Sequence, residues 1–279
     1  MALSPHYFSD SAWQKRVEDY LSGDGVDPFV HANYEAITRS LLDPQTGLRM
    51  VVNIPADALL GFLRTGRYLN AYDEPVVGGK PRKPSERRKL VDEWLGLDDP
   101  RDYFFGAVSI GGTGIRFYGE YCLVLKSVSD DTRIFERNSY DLTQPPFSDG
   151  DAQSYVPMLR GEWKADIVHM LTMKLLPELR DRQWLITLGS VSDAILHDEE
   201  FVEVHRKGRF GIADIEEVRQ SPEDEALHTN ILTRYEDGEA PSLEEMLWIA
   251  RRNLVRQQLA KAGVPLRVVV SSGRGNRWK

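Results

Sequence analysis

Apolar residues recur at helical spacing at both ends of the chain. Between residues 11 and 42 they return every three or four positions on either side of a Gly-Asp-Gly break, which predicts two helices. Residues 242–262 show the same spacing, and Ser242 and Glu245 at their start have the spacing of a capping box. A last strand is predicted at 264–270, where β-branched residues follow this helix.

The middle of the chain consists mainly of short apolar runs separated by turn residues. Strands are predicted at 48–54, 104–110, 115–126 and 133–135, and helices at 56–65, 85–95 and 163–179. Residues 200–205 and 210–218 flank a Lys-Gly-Arg turn and predict a β-hairpin. Prolines, glycines and charges between 73 and 85 predict an exposed loop, and the apolar run 184–191 fits either a strand or the start of a helix. Together these elements predict an α+β fold.

Composition places the chain among ordinary folded proteins. Of its 279 residues, 41% are hydrophobic and 28% are charged, which is close to the average of soluble domains. No run of about 18 apolar residues occurs, and the N-terminus lacks the basic and apolar regions of a signal peptide. We therefore expect a soluble, cytoplasmic protein with no membrane partner.

Charge and residue content argue against several classes of function. The formal net charge of −8 argues against a surface built mainly for nucleic acid. Cys122 is the only cysteine, which excludes an intrachain disulfide and a multi-cysteine zinc site. The sequence contains no P-loop, dinucleotide-binding glycine motif, nucleophile elbow or His-Glu-x-x-His pair, and its six histidines are not closely spaced. No metal site is predicted.

Two segments carry local positive charge despite the acidic whole. The first contains six basic residues, which are Lys80, Arg82, Lys83, Arg87, Arg88 and Lys89. The second is the tail 271–279, which combines basic residues with a tryptophan. A solvated face or a disordered end is the simplest explanation of such segments, and contact with a nucleotide or nucleic acid is the alternative. Nucleic-acid processing therefore stays open as one interpretation.

Two further segments contain residues that suit a reaction site. The glycine-rich residues 111–114 and the following Arg116 fit a phosphate contact, since glycine permits close backbone approach, but the same glycines fit a hairpin turn. Glu203 shares one face of a predicted strand with Phe201 and His205. There its carboxylate would act as a base or stabilise an oxocarbenium ion, unless it is a solvated residue on the outer face of an edge strand.

Several segments, taken in order, resemble one protein family. They are the strand 48–54, Gly66-Arg67-Tyr68-Leu69-Asn70, residues 103–108, Arg116-Phe117-Tyr118-Gly119 with 123–126, Arg137-Asn138-Ser139-Tyr140, and residues 201–208 with 215–218. Over about residues 48–218 this order and spacing is similar to a bacterial domain family of unknown function grouped with the mono-ADP-ribosyltransferases. The resemblance implies a split, strongly bent, mostly antiparallel sheet that grips NAD in a central cleft.

The resemblance also implies roles for individual residues. Glu203 matches the family's glutamate, which stabilises the ribose of NAD as the nicotinamide bond breaks. An early strand supplies a residue that binds the dinucleotide, and Arg49 or Asn53 lies on the matching strand here. Ser139 lies in the segment where the family carries a serine.

Neighbouring residues complete the expected NAD site. Arg116 and Gly119 are expected to hold the pyrophosphate. Tyr118 or Tyr121 is expected to stack on the nicotinamide ring, although aromatic residues in strands more often fill a core. The chain departs from related patterns at two points. Phe201 stands where arginine-modifying transferases carry a second glutamate, so the acceptor does not follow from this position. The early strand also lacks the histidines that the family often shows.

The function implied by the resemblance is cleavage of NAD, as a substrate, with transfer of ADP-ribose to an unknown acceptor, either protein or nucleic acid. A bacterial toxin or effector fits this chemistry, with delivery into another cell and an antitoxin or immunity protein as partner. An NAD glycohydrolase is one alternative, and a non-catalytic interaction module with Glu203 exposed is another. The expected parts are a helical extension at 1–47, a catalytic core at 48–220, and a helix and strand at 221–279 packed on the core.

Overall fold

A computed structural model describes residues 12–23, 26–42, 47–73, 76–77, 80–81, 84–149, 151–181 and 201–270. The helices are Ala12–Leu21 (α1), Pro28–Leu41 (α2), Ala56–Thr65 (α3), Glu86–Trp94 (α4), Ala152–Leu159 (α5), Trp163–Asp181 (α6), Pro222–Glu236 (α7) and Leu243–Ala262 (α8). The strands are Arg49–Ile54 (β1), Val76–Val77 (β2), Lys80–Pro81 (β3), Tyr103–Ser109 (β4), Tyr121–Leu125 (β5), Arg133–Phe135 (β6), Arg160–Glu162 (β7), Glu203–Lys207 (β8), Ile215–Gln220 (β9) and Leu266–Val268 (β10).

Eight of these strands form one sheet in the order β10-β9-β5-β1-β4-β8-β6-β7. All neighbouring pairs are antiparallel except β9 and β10, which are parallel. The prediction of an α+β fold with a mostly antiparallel sheet and helices at both ends is therefore confirmed. Within the described residues, every helix is too short or too polar to cross a membrane.

The main core lies around β1, the inner strand that joins the two halves of the sheet. Met50, Val51 and Val52 are all buried, as expected for a strand whose two faces are covered. Trp13 of α1 and Leu171 of α6 belong to the same cluster of buried residues, so the N-terminal helices share the core of the sheet. Helix α8 packs against α3.

Several predicted helix ends agree with the structure, because the residues that form each end are close together in the sequence. Ser85 caps α4 by accepting a hydrogen bond from the Arg88 N–H, and Ser242 and Glu245 form the expected capping box of α8. Gly66 ends α3 in the left-handed conformation, with φ of 71°. In each case a few consecutive residues supply all the partners that the helix end needs.

Of the two interpretations of residues 111–114, the hairpin turn is wrong. Strands β4 and β5 do not pair with each other, because β1 lies between them and pairs with both. The linking segment instead crosses the end of β1. Part of it, Arg116–Tyr118, forms a single 3-10 turn rather than the start of the strand predicted at 115–126.

The second predicted hairpin, between 200–205 and 210–218, is also wrong. Gly208 does adopt a left-handed turn conformation, but β8 pairs with β4 and β6, whereas β9 pairs with β5 and β10. The chain passes from one half of the sheet to the other through a 3-10 turn at Ile212–Asp214. A turn signal identifies a change of direction, and burial of the strands decides their partners.

Other differences come from mixed sequence signals. Val76–Val77 pairs with Lys80–Pro81, so the segment predicted as an irregular loop contains a small antiparallel pair. Helices α5 and α7 were not predicted, although Ser221 and Pro222 are a cap and first-position proline typical of a helix start. The prediction for 184–191 lies outside the described residues, and so does the tail 271–279.

Candidate functional site

A cavity of about 250 Å³ opens beside the middle of the sheet. Its wall includes Asn53 on β1, Arg88 on α4, Gly106 on β4, Tyr118 on the 3-10 turn, Phe201 just before β8, and Glu203 as the first residue of β8. We call this cavity the cleft. It is mainly apolar with a few polar groups directed at one place, which is the usual character of a small-molecule site.

Glu203 lies in the cleft wall and is only 5% exposed. Its Oε2 accepts a hydrogen bond from the backbone N–H of Ser139 at 2.9 Å and contacts His205 Nε2 at 3.0 Å. No described residue forms a hydrogen bond with Oε1. This burial is the opposite of what the interaction-module alternative expects for Glu203.

The Glu203 carboxyl is held in its charged form. Burial by itself raises its pKa, but the hydrogen bond and charge of His205, the charge of Arg88 and the Ser139 hydrogen bond together outweigh burial and leave the pKa below its usual value. A buried carboxylate that stays ionised next to a cavity is uncommon, and such groups concentrate at reaction sites.

Arg88 is the second charged group of the cleft, although its sequence context favours a solvated basic segment. It is 5% exposed, and its guanidinium forms a salt bridge with the buried Asp92, one helical turn later. The group lies 4.0 Å from the centre of the Phe105 ring and 5.3 Å from that of Tyr140. The sequence signal that could have identified Arg88 as inward-facing is its spacing on α4, since Arg88 and Asp92 at i and i+4 lie on the same helix face as the buried Val91.

Burial lowers the pKa of Arg88, but Asp92 and Glu203 outweigh burial and raise it overall. The guanidinium is therefore charged at every physiological pH. Its Nε and one terminal nitrogen bind Asp92, and the described residues give its Nη1 no hydrogen bond. Nη1 is thus available to an oxygen of a ligand in the cleft.

Asn53 fixes the loop that carries Tyr118 into the cleft. Its side-chain amide donates hydrogen bonds to the carbonyl oxygens of Thr113 and Gly119 and accepts one from the Ile115 N–H at 2.8 Å. All three hydrogen bonds of the Asn53 amide go to the loop. Asn53 therefore supports the wall of the cleft, and its side-chain amide is already used in these bonds. Tyr118 stands half-exposed at the mouth and packs edge-on against Phe201.

Gly119 allows this loop to touch the end of β1. A Cβ added there would lie 2.0 Å from the Ile54 carbonyl carbon, a backbone atom that has no room to move away. We expect Gly119→Ala to lower the free energy of unfolding by about 3 kcal/mol and to displace Tyr118. Urea unfolding measures the change in unfolding free energy.

Gly61→Ala is the matched control, because its Cβ meets no atom within 4 Å and an alanine in helix α3 should stabilise the protein by about 0.5–1 kcal/mol. Equal stability of Gly119→Ala and wild type would contradict this account.

The two remaining arginines of the expected site do not line the cleft. Arg49 Nε binds Glu216 at 3.0 Å, toward the far half of the sheet. Arg116 points to the start of α7, where it contacts Glu223 and binds Asp224 at 2.8 Å. The structure therefore brings Glu203, Ser139, Asn53 and Tyr118 together, adds Arg88, and leaves Arg49 and Arg116 engaged with carboxylates elsewhere.

The arrangement suits a reaction in which positive charge develops close to Glu203. A carboxylate with one open oxygen stabilises such charge more strongly beside apolar walls than in bulk water, and this cavity is largely apolar. Arg88 supplies a fixed positive charge for an anionic part of the same ligand. In the part of the chain that the structure describes, no group of three or more His, Cys, Asp or Glu side chains is arranged to hold a metal ion.

Comparison with known proteins gives matches among solved structures alone. No family model and no curated protein matches the sequence. Thermus sp. 2.9 DarT in complex with carba-NAD+ matches with a TM-score of 0.35 and 11% identity, over 79% of this chain and 94% of that chain. The same protein in complex with NAD+ gives 0.34 and 13%, over 78% and 94%. In complex with ADP-ribosylated ssDNA it gives 0.33 and 13%, over 82% of this chain and 95% of DarT.

Proposed function

We propose that this chain binds NAD in the cleft and uses Glu203 to break the bond between nicotinamide and ribose, so that ADP-ribose passes to an acceptor. The observation that carries the proposal is the state of the Glu203 carboxylate. It is buried, its pKa is lowered by His205, Arg88 and Ser139, two donors hold one oxygen, and the other oxygen has no partner among the described residues. The sequence resemblance to the mono-ADP-ribosyltransferases supports the same assignment.

The chemistry of NAD matches this minimal machinery. Its nicotinamide nitrogen is already cationic, so the leaving group needs no proton, and the ribose gains positive charge as the bond breaks. An enzyme then acts mainly by positioning and by electrostatic stabilisation, for which a single fixed carboxylate is suitable. The open Oε1 of Glu203 is the atom that we place next to the anomeric carbon.

Arg88 and Tyr118 are assigned to two parts of the bound dinucleotide, the pyrophosphate and the nicotinamide ring. The free Nη1 of Arg88 suits a phosphate oxygen, since guanidinium groups bind phosphate with directed hydrogen bonds. The half-exposed ring of Tyr118 offers a flat surface for the nicotinamide ring. We assign Asn53, Gly119 and Ser139 to holding these groups in place, through their contacts with the loop and with Glu203.

The direct test is release of nicotinamide from NAD by the purified protein, followed by chromatography. We expect steady release, and saturation of the rate as the NAD concentration rises. Arg234→Ala is a control outside the cleft, because Arg234 pairs with Glu245 between α7 and α8, and it should retain release if the fold is intact. Failure to release nicotinamide, together with no heat of NAD binding in calorimetry, would contradict the proposal and favour a non-catalytic interaction module.

The fate of ADP-ribose separates the two enzymatic alternatives. A glycohydrolase yields one free ADP-ribose for each nicotinamide, whereas a transferase yields less free ADP-ribose when its acceptor is present. Radiolabelled NAD incubated with protein and with single-stranded nucleic acid from cells identifies which class becomes labelled. A toxin or effector role further requires that expression arrest growth and that an antitoxin or immunity protein relieve the arrest.

A further inference from the structure

His205 is a buried histidine that the proposed reaction has not yet used. It follows Glu203 by two residues on β8, so both side chains leave the same face of the strand. Its side chain is fully buried, and it is not part of the cleft wall. A substrate in the cleft therefore contacts Glu203 and not His205.

The histidine ring is held by packing on both sides. The Phe135 ring stacks on it with centroids 6.0 Å apart and an angle of 19°, and Phe105 meets it edge-on at 4.9 Å. Phe105 also lies beneath the Arg88 guanidinium. These contacts fix the position of the ring, but a leucine or methionine of similar volume would satisfy them as well.

The hydrogen bonds of His205 show why a histidine is present. Nε2 contacts Glu203 Oε2 at 3.0 Å, while Nδ1 is buried and has no hydrogen-bond partner in the described structure. Burial of a polar ring is unfavourable unless the protein supplies hydrogen bonds, because the ring's hydrogen bonds to water are lost. The bond to Glu203 is thus the one polar interaction that the described residues give this ring.

Both donors to Glu203 act on the same oxygen. The Ser139 N–H and His205 Nε2 each reach Oε2, and together they fix the plane of the carboxyl group. With the Ser139 hydrogen bond alone, the Glu203 carboxyl group would be free to rotate about that hydrogen bond. With both donors in place, Oε1 is left open and has one orientation.

We propose that His205 is a positioning residue, which donates a hydrogen bond to Glu203 Oε2 and thereby directs Oε1 into the cleft. The inference rests on the proposed function, because it assigns Oε1 to the reacting ribose. His205 acts through Glu203, so its loss should lower the rate of the bond-breaking step and leave the binding of NAD nearly unchanged.

The test compares His205→Leu, which fills the space without a donor, with His205→Gln, whose side-chain amide is able to donate to Oε2. We expect His205→Leu to lower kcat for nicotinamide release by about 10- to 100-fold, with KM for NAD within about 3-fold. His205→Gln should recover most of this loss. His228→Gln is the matched control, a buried histidine between α7 and α8, and should keep the wild-type kcat.

A pH profile adds a second measurement. The profile would not change in the variant if His205 had a purely structural role. His205 helps to lower the pKa of Glu203, so His205→Leu should raise that pKa and move the acidic limb of kcat/KM to higher pH. Among the described residues, the other charged or titratable groups that line the cleft with Glu203 are Arg88, Tyr68, Tyr118 and Tyr140, and all four remain in the variant. If His205→Leu does not fold, His205→Met takes its place.

Distinct outcomes separate this inference from the proposed function. Wild-type kcat and an unmoved acidic limb in His205→Leu, or equal losses in the leucine and glutamine variants, would overturn the positioning role. A wild-type protein that releases no nicotinamide would contradict the proposed function instead. In that case, carboxyl carbon NMR of Glu203 still decides whether His205 sets its titration, because the carboxyl should titrate at higher pH in His205→Leu than in the wild type.

Discussion

Replacing Glu203 with glutamine is expected to lower kcat for nicotinamide release by at least about 100-fold, while the affinity for NAD stays within a few-fold. Glutamine has nearly the shape of glutamate, and its amide oxygen is able to accept the Ser139 and His205 hydrogen bonds in place of Oε2. The amide nitrogen would then occupy the position of Oε1. A partly positive NH2 group would face the ribose where the wild type presents a negative charge.

The measurement is the initial rate of nicotinamide release over a range of NAD concentrations, with calorimetry for affinity. Glu217→Gln is the matched control, since Glu217 is also buried but lies on β9, where Arg219 and Arg267 bind it. Glu217→Gln should retain catalysis in protein that is folded. If the Glu203→Gln variant kept more than a tenth of wild-type activity, the proposed role of Glu203 in the reaction would be wrong.

Replacing Arg88 with methionine is expected to lower both stability and activity. Asp92 is 1% exposed, and without Arg88 its charge is left in the interior, where the Tyr72 hydroxyl is the one side-chain donor that the other described residues give it. Breaking a buried pair in this way costs about 3–5 kcal/mol of unfolding free energy. Urea unfolding measures this loss, and nicotinamide release measures the effect on the cleft.

A second substitution separates the two roles of Arg88. In Arg88→Met with Asp92→Asn the uncompensated charge is gone and the Tyr72 hydroxyl keeps an acceptor, so most of the lost stability should return. We expect kcat/KM to remain reduced by about 100-fold, because the positive charge for the phosphate is still missing. Recovery of activity together with stability would show that Arg88 serves the fold and not the ligand.

Local signals in the sequence predicted the helix ends and individual strands well. Ser242 with Glu245, and Gly66 after α3, act within one turn of helix, and the structure contains both. Pairing of strands depends on partners far along the chain, so the glycines at 111–114 and at 208 led to two wrong hairpins. No local pattern states that β1 lies between β4 and β5.

The family resemblance was the signal that identified Glu203 and Ser139 as residues of the site. Their contact joins residues 64 positions apart, which periodicity does not reveal. Arg88 was missed because a charged residue among other charged residues suggests solvent, and its burial depends on Phe105 and Tyr140 packing around the guanidinium. The roles proposed for Arg88, Tyr118 and Glu203 are predictions that activity measurements on their variants will test.

The wide spacing of the cleft residues has a consequence for how the protein acquires its activity during folding. Asn53, Tyr118, Ser139 and Glu203 come from four distant parts of the chain, and β8 joins the sheet only through β4 and β6. Contacts of such long range form slowly, because the chain between them must first be ordered. Recovery of nicotinamide release after dilution from denaturant should therefore lag behind recovery of helical circular dichroism, which makes catalysis a reporter of the completed sheet.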